Sequence, residues 1–143
     1  MPKAAKPLPR GVRNRNPGNI RFVETASHFQ GQTGSDGAFC IFDTAEHGIR
    51  AIGVVLLTYY RKHSIRTIRE AIARWAPGSE NNTSAYIAAV ALRTKIGADD
   101  LLNFYDAPIL AKLVTAIIWH ENGQCPYTNA QIRKAVDAAI GSS

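Results

Sequence analysis

Apolar residues recur at helical spacing from Thr44 onward, and before it they do not. Ile49, Ile52, Leu56, Tyr59 and Tyr60 share one face at a 3.6-residue period, which predicts a first helix capped by Asp43 or Thr44 with Glu46 early in it. Ser64 is expected to begin a short second helix carrying Ile65, Ile68, Ile72 and Trp75, stopped by Pro77-Gly78. Asn82 or Thr83 is expected to cap a third, with Tyr86, Ile87, Val90 and Leu92 inward. Ala98 to Asn103 reads as a short turn or helix. Asp106-Ala107-Pro108 opens a strongly apolar helix, with Pro in the first turn, where its missing N–H is not needed. Thr128 caps a last amphipathic helix ending at about Ile140.

Upstream the pattern is different. Gly11 to Asp43 is rich in Gly, Asn, Gln, Ser and Thr, with short apolar pieces at Asn19–Val23 and Ala38–Phe42. These predict two or three short strands, the two pieces pairing as a hairpin. Residues 1–10 hold three prolines and three basic residues and read as a mobile basic arm. The expected architecture is α+β: one domain over 11–143, a mainly helical body with a small β-rich flap near the N-terminus. No internal repeat is visible.

The run Leu113 to Gly123 carries the strongest chemical signal. Ile109, Leu110, Leu113, Val114, Ile117 and Ile118 form one greasy face, and Glu121 lies on its border, four residues after Ile117. Asn122-Gly123 then stops the helix. Apolar neighbours and the negative helix end both disfavour a charged carboxylate, so the pKa of Glu121 is expected to rise. An acid that keeps its proton near neutral pH is what glycosidic bond cleavage requires. The plain alternative is a solvated helix-end residue, although that end of a helix prefers cations.

Two further segments can carry function. Arg15-Asn16-Pro17-Gly18-Asn19-Ile20-Arg21 is chemically an ordinary turn into a strand, whose amides also suit hydrogen bonding to sugar or peptide. Arg74 to Thr83 joins two helices and brings together Trp75, Glu80, Asn81, Asn82 and Thr83. Trp75 reads as core and Glu80 as a complement to the helix dipole, yet Glu80 is also the best second carboxylate. Glu24, Glu46, Glu70, Asp99 and Asp100 have simpler explanations. His120 is expected on a different side of the helix from Glu121.

A net charge of +6 favours polyanions, including nucleic acid and a bacterial wall, without choosing among them. The basic residues are scattered and no aromatic-interleaved nucleic-acid motif is present. Cys40 and Cys125 are far apart and lack metal spacing with His28, His47, His63 or His120, so no metal is expected; two buried free thiols is the simplest reading, with a disulfide left open. No apolar stretch is long enough to span a bilayer, and no signal peptide is expected.

Taken in order, Arg13–Arg21, Phe29-Gln30-Gly31-Gln32, Ala38–Phe42, Gly48–Ala51, Arg74–Pro77, Glu80–Thr83 with Tyr86, and His120–Gly123 resemble a phage-associated family of peptidoglycan-degrading virion proteins and endolysins with a lysozyme-like (lytic transglycosylase-like) fold. The resemblance spans about residues 11–133. Such enzymes place the catalytic Glu on an early helix before a β-flap. Here that helix looks like Ala116–Gly123, near the C-terminus, which implies a circularly permuted arrangement. The resemblance implies Glu121 as the general acid for the β-1,4 bond between N-acetylmuramic acid and N-acetylglucosamine, with Glu80 the fallback or second carboxylate. It implies Asn16, Asn19, Gln30, Phe39, Trp75, Asn82, Thr83 and Tyr86 as groove residues, amides for acetamido groups and aromatics for sugar faces. No cofactor is implied. The expected partner is bacterial peptidoglycan, with no specific nucleic acid, for a monomer made in the host cytoplasm and acting at the wall, carried in a virion or not. Competing expectations are a non-catalytic virion or wall-binding module, a basic nucleic-acid-binding domain and a wall endopeptidase.

Overall fold

The computed structural model describes residues 7–142, the side chains of Glu80 and Asn81 excepted. Among these, a one-turn helix α1 (Arg10–Arg13) precedes a hairpin of β1 (Gln32–Ser35) and β2 (Cys40–Phe42). Five longer helices follow: α2 (Ala45–His63), α3 (Ile68–Trp75), α4 (Glu80–Thr94), α5 (Ala107–Asn122) and α6 (Asn129–Gly141). This is the α+β class, mainly helical with a small β element near the N-terminus.

The apolar run seen in the sequence becomes α5, the helix against which α1, α2, α4 and α6 all pack. Leu110, Val114, Ile117 and Ile118 on it are at most 1% exposed. Each such burial contributes about 1.5–3 kcal/mol, so this face anchors the body. Side chains of Thr44, Thr67, Ser79 and Thr128 cap α2, α3, α4 and α6 by accepting a backbone N–H, each worth about 1 kcal/mol. Gly123, at φ 67°, terminates α5 in the left-handed conformation expected of it. A second, smaller core of Cys40, Phe42 and Ala51, joined by Ile20, Phe22 and Phe29, fixes the hairpin to the start of α2.

Several expectations are corrected. The strand partner of the Cys40–Phe42 piece is Gln32–Ser35, with Gln32 opposite Phe42 and a register shift between Gln32 and Gly34. Asn19–Val23 meets it only through an isolated bridge of Arg21 with Phe39, flanked by Phe22 N to Ala38 O and Cys40 N to Ile20 O bonds. Ser64 ends α2 at φ 54° instead of starting the next helix, and Ser79, not Asn82 or Thr83, caps α4. Leu92 is 81% exposed, because two residues beyond buried Val90 is about 200° round the helix. Of the turn or helix expected over 98–103 the structure has the turn, at Ala98 and Asp99. The thiols of Cys40 and Cys125 are both free, but only Cys40 is buried, and that burial pushes its pKa up.

The expected mobile arm at 1–10 lies outside the described residues up to Lys6, but Arg10 begins α1. Its Nε donates at 2.6 Å to Oδ2 of Asp36 in the hairpin turn. Asp36 also accepts from Asn14 Nδ2 and from the backbone N–H groups of Ala38 and Phe39, so it ties α1 to the flap. The Arg10 hydrogen bond above all, then those of Phe39, Asn14 and Ala38, hold its carboxyl far below the usual carboxylate range. A native pKa below the unfolded value means stabilisation present above about pH 3.9 and lost as pH falls toward the native pKa. Asp36→Asn should therefore lower the melting temperature near neutral pH, and the gap from the parent should narrow steadily on acidification below about pH 4. A gap independent of pH in thermal melts would contradict this.

Candidate functional site

Glu121 lies in the last turn of α5, half-buried, at the junction of two hollows. One, of about 640 Å³, faces the flap and is lined by Asn19, Arg21, Phe39, Tyr59, Trp75 and Glu121 among others. The other, of about 510 Å³, opens toward α4 and is lined by Asn82, Thr83, Tyr86, His120 and Glu121 among others. Ala76 and Gly78 border both. Each hollow has the size of a small-molecule or oligomer subsite. Together they form a cleft with the carboxylate at its middle.

The carboxylate is fixed from both sides. Asn19 Nδ2 donates to Oε1 at 2.9 Å and the Tyr86 hydroxyl donates to Oε2 at 2.8 Å. Asn19 reaches it because it stands in the left-handed region at φ 49°, a conformation Asn tolerates better than most residues. The turn that presents it is clamped twice. Fully buried Asn16 donates to Ile20 O and Cys40 O and accepts from Ile20 N, each at 3.0 Å. Asn122, next to Glu121, donates to Pro17 O at 2.7 Å. Thus the flap turn and the end of α5 are stitched together. Gly11 of α1 closes on this seam: a Cβ there would stand 2.6 Å from Asn122 Oδ1 and 2.7 Å from Asn19 Oδ1, so only glycine fits without displacing them.

Tyr86 is buried, and that burial first, then the facing Glu121 carboxylate, raises its phenol pKa well above the ordinary range. It therefore stays a hydroxyl at any working pH. A hydroxyl can donate to a carboxylate or turn and accept from a carboxylic acid, whereas the Asn19 amide nitrogen only donates. The Tyr86 hydroxyl can therefore serve Oε2 as donor or acceptor, whereas Asn19 serves Oε1 only as donor. The Tyr86 ring stacks on His120, centroids 3.7 Å apart and tilted by 30°.

Of the residues predicted from sequence, Glu121, Asn19, Phe39, Trp75, Asn82, Thr83 and Tyr86 line this cleft. Asn16 does not: its amide is spent on backbone groups, so it shapes the turn and is unavailable to a ligand. Gln30 is exposed in the loop before β1 and is not part of the lining. Thr83 lends its hydroxyl to Ala76 O at 2.7 Å, holding the α3–α4 connection. Glu80 opens α4, and its side chain lies outside the described residues. Glu46 lies 3.6 Å from Lys134, outside both hollows. His120 is a correction, since it shares the α4-side hollow with Glu121 and is not turned away from it. Sequence reasoning also missed Arg21 and Tyr59. Arg21 stood within the quoted turn motif, but nothing in the motif told its outward side chain from its neighbours'.

Among the described residues, no group of three or more His, Cys, Asp or Glu is placed to hold a metal ion, and no helix is long and apolar enough to cross a membrane. No protein-family model matches the chain. Protein P5 of Pseudoalteromonas phage PM2 is 39% identical over 131 residues, an alignment that spans 90% of this chain and 80% of that protein. Similarity of that extent covers both walls of the cleft and the helix carrying Glu121, and the chain belongs to the family of Protein P5 of Pseudoalteromonas phage PM2.

Proposed function

We propose that this protein degrades peptidoglycan, cleaving the β-1,4 bond between N-acetylmuramic acid and N-acetylglucosamine with Glu121 as general acid. One observation carries the reading. The Glu121 carboxylate sits at the midpoint of an open cleft, its oxygens held by Asn19 and Tyr86, with aromatic faces on one side and hydroxyl and amide groups on the other. That combination suits an extended glycan: flat apolar faces for sugar rings, polar groups for acetamido and hydroxyl substituents, and one acid at the scissile bond.

In this reading Glu121 gives its proton to the glycosidic oxygen as the bond from the muramoyl C1 breaks. The carboxylate then takes the proton of the muramoyl 6-hydroxyl, whose oxygen closes onto C1. Glu121 is regenerated and an anhydro end is left, without water being consumed. Glu121 lines both hollows, and the anhydro route asks for no carboxylate besides it. Glu80, at the start of α4, is the candidate for that second acid if hydrolysis occurs.

We read the fold as lysozyme-like and permuted, α5 taking the part of the catalytic helix and the β1–β2 hairpin that of the flap. Packing of both α1 and α6 against α5 supports this, since a permuted chain must bring its ends to that helix. Relationship to a phage protein supports a phage or prophage origin; in this reading the protein acts at the host wall, from a virion or at lysis.

Incubation with purified sacculi tests the proposal. Turbidity should fall, whereas binding without clearing would assign the chain to a wall-binding module that keeps the cleft. Tyr86→Phe should lower kcat about tenfold with KM little changed, because it removes the group that holds the transferred proton without narrowing the cleft. A change confined to KM would place Tyr86 in substrate binding alone.

A further inference from the structure

The two halves of the cleft differ in charge. On the α4 side the lining side chains offer hydroxyls, an amide and an imidazole. On the flap side Arg21 lines the hollow with its guanidinium 5.0 Å from the Phe39 ring centroid. Arg74 lines an adjoining hollow together with Glu70 and lies 5.5 Å from the Tyr59 ring centroid; Tyr59 and Pro77 border both that hollow and the flap-side one. Both arginines are exposed, and among the described residues neither is paired with a carboxylate. Arg10, on the same Phe39 ring, differs: it is committed to Asp36. Stacking on an aromatic face fixes the plane of a guanidinium while leaving its N–H groups free at the rim. Two such pre-set forks, one on the floor and one on the edge, suit a planar bidentate anion.

Resting on the reading of the cleft as a glycan site, we propose that the flap-side half binds the carboxylates of the peptide stem carried by the muramoyl sugar, through Arg21 and Arg74. In a wall glycan alternate sugars carry these stems, and the stems hold free carboxylates. Among the described residues the lining cation stands on the flap side, and that asymmetry would fix the direction in which the strand lies. The α4-side half takes the sugar without a stem.

The test compares binding of soluble glycan strands that keep their stems with the same strands stripped by an amidase, measured on the Glu121→Gln protein so that cleavage does not intervene. The ratio of the two affinities should favour stem-bearing strands. In the Arg21→Gln/Arg74→Gln variant of that protein the ratio should fall about tenfold, and Arg21→Lys/Arg74→Lys should recover part of it. A misfolded variant would weaken both substrates and leave their ratio unchanged, which circular dichroism would identify; a correctly folded variant with the parent ratio overturns the proposal. Stem-dependent binding that responds to Arg21 and Arg74 in a protein that never clears sacculi would uphold this inference and reject glycosidic cleavage.

Discussion

Replacing Glu121 by Gln should slow the clearing of purified sacculi by about three orders of magnitude, since general acid catalysis supplies roughly 10²- to 10⁴-fold. The fold should hardly notice. The Gln carbonyl oxygen can take the place of Oε1 and still accept from Asn19 Nδ2, and the Tyr86 hydroxyl can turn to accept from the new amide. Two neutral hydrogen bonds replace two to a carboxylate, offset in part by removing a negative group from the negative end of the helix, so the change in stability should stay within about 1 kcal/mol. Lysis lost at an unchanged melting temperature is therefore the expected pair of results. Parental clearing by the Glu121→Gln protein would move the acid elsewhere, to Glu80 first.

Gly48→Ala should produce the largest loss of stability, against the direction that helix propensity dictates. Gly48 lies in the first turn of α2, where alanine would ordinarily gain about 1 kcal/mol. Here a Cβ would overlap the carbonyl oxygen of Arg15, stand 2.9 Å from its carbon and press on Pro17 Cδ at 3.1 Å. The obstacle is backbone, and Arg15 is itself at φ 53°, so the turn has little freedom to retreat. Overpacking of this kind should cost about 3 kcal/mol net. The same turn carries Asn16 to Asn19, so the displaced backbone should also carry Asn19 away from Glu121 and lower the lytic rate about tenfold. A chemical melt of Gly48→Ala at or above the parent midpoint would show that α2 does not bear on the turn as described.

What was legible in the sequence follows from what is local. The helix of α5, its terminal carboxylate and its glycine stop could be read directly, because periodicity and capping act within one segment. So could the caps at Thr44 and Thr128, whose side chains reach only three residues ahead. The strand partner of Cys40–Phe42 could not, since Gln32–Ser35 is polar and no alternation marks it. Leu92 misled because an apolar residue inside a helix was counted inward without its angle being followed round from Val90. At the site, Asn16 and Asn19 were indistinguishable as letters. Tertiary contacts make one a buried clamp and the other the donor that holds the acid. His120 shows the same limit from the other direction: neighbouring positions diverge on a helix, but the His120 ring stacks on Tyr86 of α4 and lines the hollow beside it.

The central claim is that Glu121 delivers a proton to a glycosidic bond and then draws one from the same substrate. Mass spectrometry of the fragments released from pure sacculi reads this directly. The wild-type protein should liberate disaccharide-peptide units cut after N-acetylmuramic acid and ending in the 1,6-anhydro form, absent with Glu121→Gln. Peptides freed with the glycan left whole, or no soluble product at all, would contradict it.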